Sequence, residues 1–266
     1  MHAVRSGSAA AALLGALVVA LTLCPPGASG QSVLEGLRRG VRSQAAFATG
    51  KSFYEAGDFE RARERLVDAV ALDANHDEAR ALLGWSQYFL GEYKAAIITF
   101  KAALRRQPDW EGLHTGLGWS RLKLKRHHLA AESFRAALDK NADHVDAIVG
   151  LGSAQFELGR YEEALTQLQT AVRRLEPLVG DEPAELPAVR AKVGWSLFYL
   201  GRYQQALEVF ERTLRSRPEW HGLHNGVGWC HLKLGQKAEA RAAFQRALAI
   251  KPDYDDALEG LRQSSG

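Results

Sequence analysis

A short pattern recurs along this chain. It reads "LGEYKAAIITFKAAL" from Leu90, "LGRYEEALTQLQTAV" from Leu158, "LGRYQQALEVFERTL" from Leu200 and "LGQKAEARAAFQRAL" from Leu234. Each copy has a Gly that suits a turn, an Ala five residues later, a large side chain four after that, and a small residue three further on. The underlying period is 34 residues, with one spacing lengthened by eight. A unit of that size cannot bury its own apolar face and must stack on its neighbours, so the period constrains the fold before any single residue does.

This pattern resembles the tetratricopeptide repeat (TPR), a unit of two antiparallel helices, A and B. The resemblance implies an all-α TPR solenoid of about six helix-turn-helix repeats with a C-terminal capping helix. The units are placed at 43–76, 77–110, 111–144, 145–178, 187–220 and 221–254. Small residues of helix A fall at Gly50, Gly84, Gly118, Gly152, Gly194 and Gly228. Turn glycines fall at Gly57, Gly91, Gly159, Gly201 and Gly235, with Lys125 departing in the third unit. Helix B offers Ala62, Ala96, Ala130, Ala164, Ala206 and Ala240, then Leu66, Phe100, Phe134, Leu168, Phe210 and Phe244. A small residue on one helix leaves room for the large one on its partner, so the two pack closely.

A longer period overlies the short one. Units two and three match units five and six at an offset of 110 residues, so "DWEGLHTGLGWSRLKLK" from Asp109 returns as "EWHGLHNGVGWCHLKLG" from Glu219. The segment "PLVGDEPAELP" interrupts the array between units four and five, with 179–186 as an inserted loop. A hinge there would split it into 43–178 and 187–262. Residues 31–42 read as an N-terminal helical cap or linker, and 255–266 as a C-terminal capping helix and tail.

The first 30 residues have the layout of a secretory signal: a basic start, the apolar run "AAAALLGALVVALTL", and a small-residue exit with Ala28 and Gly30 before Gln31. The expectation is an exported protein, periplasmic or secreted, with an uncleaved membrane anchor as the alternative. Leu23 directly before Cys24 departs from a lipobox. Beyond that segment the chain carries 33 basic and 31 acidic residues, which gives no electrostatic case for nucleic acid. It retains one cysteine, Cys230, so no internal disulfide is available. No membrane insertion of this part is expected.

The candidate site is aromatic. Trp85, Trp119, Trp195 and Trp229 occupy position 9 of their units, not the family's usual tryptophan position. In TPR proteins positions 2, 5, 9, 12 and 13 of helix A face the concave groove. The resemblance therefore places Trp85, Tyr88, Phe89, Trp119, Lys123, Phe156, Trp195, Phe198, Tyr199, Trp229 and Lys233 there. Trp119 with Lys123, and Trp229 with Lys233, stand one turn apart and suit cation–π contacts. The competing reading is packing: a stripe at helical spacing is also what a core requires. Trp110 and Trp220, which end their units, read as wedges between repeats, and His114 and His224 as hydrogen-bonded packing residues.

Chemistry of other kinds finds little support. His221, His224 and His231 share roughly one helical face but lack a carboxylate at matching spacing for a metal. Gly-x-Gly at 116/118, 150/152 and 226/228 follows no strand, which argues against a phosphate loop. No catalytic motif is present, and no cofactor is expected. Position 9 reads Lys51, Trp85, Trp119, Ser153, Trp195 and Trp229, without the Asn ladder of the family's carboxylate clamp. The reading is a non-catalytic protein-binding scaffold or adaptor holding a protein or peptide segment in an aromatic groove. The alternative is a carbohydrate-binding accessory factor in envelope polysaccharide assembly, using the same rings on a glycan.

Overall fold

The computed structural model describes residues 30–176 and 181–265. The expected signal segment, with Cys24, and part of the insertion lie outside these residues. Among the described residues there are thirteen helices and no strand. They are α1 (Gly30–Glu55), α2 (Phe59–Leu72), α3 (Asp77–Phe89), α4 (Tyr93–Leu104), α5 (Glu111–Lys123), α6 (His127–Lys140) and α7 (Val145–Glu157), followed by α8 (Tyr161–Leu175), α9 (Leu186–Tyr199), α10 (Tyr203–Ser216), α11 (His221–Lys233), α12 (Lys237–Ile250) and α13 (Asp255–Ser265). Among these residues no helix is long and apolar enough to cross a membrane.

Each helical hairpin is closed in the same way. The residue after the turn position donates its N–H back over the helix end, as in Asp58 to Phe53 O at 2.9 Å and Arg202 to Leu197 O at 2.9 Å. This closure needs a left-handed residue at the turn, which glycine adopts without steric cost. Gly57, Gly91, Gly159, Gly201 and Gly235 have φ between 72° and 78°, and Lys125 adopts the same region at φ 56°.

The chain forms two compact units, one up to Ala95 and one from Ala96, with the division inside α4. In the first unit α1, α2 and α3 bury Phe47, Ala62, Leu66, Ala69, Ala79 and Leu83. Residues 31–42 are not a separate element. They extend the first A helix toward its N-terminus, and most of their side chains are exposed.

In the second unit α6, α8, α10 and α12 each pack against their own A helix and the next one. Ala130, Ala164, Ala206 and Ala240 are fully buried, as are Phe100, Phe134, Leu168, Phe210 and Phe244. The core runs without a break from Ile148 to Ala243, across the insertion. Arg190 of α9 binds Glu176 at 3.0 Å and also binds Glu182, while Arg212 reaches Glu176 at 2.9 Å. A continuous core and an ion-pair network thus join α8 to α9 across the insertion. The last helix, α13, packs on α12 as a further A helix would, with Ala257 and Gly260 buried.

The glycines explain the intimacy of the stack. A β-carbon on Gly118 would stand 2.6 Å from Phe134 Cε1, and one on Gly228 would stand 2.6 Å from Phe244. These are contacts between A and B helices of one repeat. The first glycine of each Gly-x-Gly instead faces the preceding repeat: Gly116 meets Phe100, Gly150 meets Phe134 and Gly226 meets Phe210.

Candidate aromatic binding face

Successive A helices present the aromatic residues, and the structure gathers them into clusters. In the first unit Phe59 and Phe89 stack at 4.5 Å and 18°, and Tyr54 lies 5.6 Å from Phe59 and 6.2 Å from Phe89. Trp85 meets Tyr88 edge-on at 5.7 Å and Phe89 at 6.2 Å, and Tyr88 lies 5.4 Å from Phe89 and 5.6 Å from Tyr93.

The second unit rebuilds this network contact for contact. Tyr161 and Tyr199 stack at 4.7 Å and 15°, and Phe156 lies 5.5 Å from Tyr161 and 5.9 Å from Tyr199. Trp195 meets Phe198 at 5.6 Å and Tyr199 at 6.2 Å, and Phe198 lies 5.6 Å from Tyr199 and 5.4 Å from Tyr203. Phe89 is 50% exposed and Tyr199 52%, so each cluster leaves half of one stacked ring in water.

Sequence reasoning missed Phe59, Tyr93, Tyr161 and Tyr203. They stand two residues after each turn glycine, at the start of helix B, and that spacing was available as a signal. The corresponding positions of units three and six hold His127 and Lys237, and their tryptophans behave differently.

Trp119 lies edge-on to Phe134 at 5.2 Å and donates its indole N–H to Asp146 Oδ1 at 3.0 Å. Trp229 lies edge-on to Phe244 at 5.4 Å and donates to Asp256 Oδ2 at 3.1 Å. Asn225 donates to the same carboxylate at 2.6 Å. Trp195 likewise rests edge-on against Phe210 at 5.2 Å. The position-9 tryptophans of this unit are thus half-buried, with one side committed to the core.

Lys123 and Lys233 are exposed, and neither covers a tryptophan as the sequence suggested. The indole N–H groups orient those rings toward Asp146 and Asp256 instead. Among the described residues the ring-capping cations are Arg61 over Phe53, Lys192 over Phe156 at 5.5 Å, and Lys251 over Tyr254. Burial is the main force lowering the Lys192 pKa; Glu157 opposes it and Lys123 adds to it. Burial also raises the Asp146 carboxyl, against the Trp119 N–H and His144, with Glu185 adding to the rise.

The remaining candidates have structural employment. The Trp110 and Trp220 rings lie against Gly112 and Gly222, at the start of α5 and α11. The half-buried His114 and His224 bond Pro108 O at 2.8 Å and Pro218 O at 2.7 Å. His221 packs on Tyr254 and His231 bonds Gln236, so the three histidines of α11 have separate partners. Cys230 is buried, and burial pushes its thiol up to about 12.

Two models of the tetratricopeptide repeat match this chain, one over residues 47–109 and 193–255, the other over 144–219. The chain belongs to the tetratricopeptide repeat family. Such repeats are protein-interaction modules. A search of curated proteins found no match.

Among solved structures, YrrB, described as a TPR protein with an unusual peptide-binding site, is 19% identical with a TM-score of 0.62, covering 74% of this chain and 97% of its own. Pseudomonas aeruginosa PilF is 15% identical with a TM-score of 0.69, covering 86% and 99%. MamA is 21% identical with a TM-score of 0.57, covering 67% and 93%. These likenesses establish the fold.

Proposed function

We propose that this TPR protein is an exported, non-catalytic scaffold that holds an extended segment of a partner protein against the aromatic face of its A helices. The observation that carries the reading is the duplicated cluster with half-exposed Phe89 and Tyr199 at its surface. A ring needed only for packing is driven out of water, whereas these two keep half their area available. Rigid aromatic side chains lose little entropy on binding and suit apolar or aromatic anchors of a peptide. The fold shared with YrrB, which has a peptide-binding site, supports this choice. Export rests on the layout of the first 30 residues.

The test uses Phe89 and Tyr199, because removing Trp195 would also uncover Phe210. The full chain and a Phe89→Ala/Tyr199→Ala variant are used to capture material from the native envelope. Mass spectrometry then scores bound protein and sugar. The expected result is a polypeptide held by the wild type and lost by the variant, with equal helicity and melting temperature. Soluble oligosaccharides that quench the tryptophans and compete for this face would favour the glycan alternative. Unchanged capture by the variant would remove the aromatic face as the site.

A further inference from the structure

The two clusters have the same ring geometry but different chemistry. Tyr54 and Tyr88 of the first correspond to Phe156 and Phe198 of the second, while stacked Phe59 and Phe89 correspond to Tyr161 and Tyr199. The phenol oxygens have moved onto the stacked pair. Leu82 in the first corresponds to Lys192 in the second, 110 residues later. That position is glycine wherever the preceding B helix carries Phe, as at Gly116, Gly150, Gly226 and Gly260. The preceding residue is Leu66 before Leu82 and Leu168 before Lys192, and the smaller partner admits a longer side chain.

Space alone does not call for a charge there, since Leu82 serves the same position. The Lys192 side chain is half-buried, and its ammonium lies over Phe156 at 5.5 Å. Among the described residues no carboxylate approaches within ion-pair distance, with Glu157 acting only at longer range. A partly desolvated cation without a counter-ion is costly unless a partner supplies one. On the same face Asp146 and Asp256 already accept indole N–H groups.

Resting on the binding function proposed above, we propose that the second cluster recognises an acidic side chain, Asp or Glu, inside a partner peptide, with Lys192 as its counter-ion and the Tyr161/Tyr199 pair receiving the adjoining apolar residue. An internal residue is specified because the face continues on both sides, through Trp119 with Asp146 and through Trp229 with Asp256. The first cluster, with Leu82 and a Phe pair, takes an uncharged apolar residue. A generally acidic segment is disfavoured, because Asp146, Glu157 and Asp256 would repel it.

A random dodecapeptide phage library is selected on the full chain and on Lys192→Leu, which copies the first cluster. The wild type is expected to enrich peptides with one Asp or Glu beside an aromatic or apolar residue. Lys192→Leu is expected to retain the apolar residue and lose the acid. For a selected synthetic peptide, changing that acid to its amide should weaken wild-type binding roughly tenfold and leave Lys192→Leu binding unchanged. Lys192→Gln serves as a second variant if the Leu chain does not fold. Peptides enriched without an acid, or with an acid indifferent to residue 192, would overturn the inference and leave the scaffold reading standing. Failure of any peptide to enrich on the wild type would overturn both.

Discussion

A β-carbon placed on Gly226 would lie 2.8 Å from Phe210 Cζ, closer than packed atoms approach. The ring has nowhere to retreat. It is fully buried, a β-carbon on Gly194 of its own repeat would lie 2.5 Å from its Cε1, and Trp195 stands edge-on to it. Glycine in mid-helix costs about 1 kcal/mol relative to alanine, and overpacking a full core costs about 1–3 kcal/mol.

Gly226→Ala should therefore destabilise the protein by up to about 2 kcal/mol in urea denaturation, despite its better helix propensity. In a Phe210→Leu background the same change should become neutral or stabilising, since the shorter side chain vacates the space. The chain already uses that combination where Leu168 precedes Lys192 and Leu66 precedes Leu82. A change of equal sign and size in both backgrounds would refute steric coupling between these two positions.

Lys125 offers a gain in stability. It holds φ 56° at a turn where the other hairpins hold glycine. A left-handed backbone costs a side chain roughly 1–2 kcal/mol, and glycine gives back about 0.5–1 kcal/mol in unfolded-state entropy. Lys125→Gly should raise stability by about 0.5–1 kcal/mol, and the reverse change, Gly159→Ala, should lower it by a similar amount. Both are read as shifts in denaturation midpoint. A Lys125→Gly protein no more stable than wild type would mean that the lysine makes a compensating contact.

The hairpin interior was legible because its contacts repeat inside one period. Leu66, Phe134, Phe210 and their partner glycines stand at fixed separations, so one repeat predicts the next. Contacts between repeats were harder to read. Trp119 and Asp146 are 27 residues apart, and Phe59 and Phe89 are 30 apart, so helical spacing shows which residues share a face but not what closes on it from the next element. For the same reason Lys123 looked like the groove cation. It shares a helix with Trp119, whereas Lys192 reaches Phe156 from a different helix. The insertion looked like a break because its composition is loop-like, yet Glu176 and Glu182 tie it to Arg190.

The Trp119–Asp146 bond carries a pH signature. Burial raises the Asp146 carboxyl above its ordinary value despite the indole N–H, and Glu185 adds to the rise. A carboxyl raised on folding takes up its proton more readily in the folded state, so folding gains stability as pH falls into that range. Asp146→Asn keeps an acceptor for the indole and removes the charge. The variant should therefore be at least as stable as wild type at neutral pH, and its advantage should shrink as pH falls into the range where the wild-type carboxyl takes up its proton. Denaturation midpoints of both proteins across this range test it, with Trp119 fluorescence reporting whether the indole environment is kept. An Asn variant that is weaker at neutral pH, with the deficit shrinking on acidification, would show that the charged carboxylate stabilises the fold through its bond to Trp119.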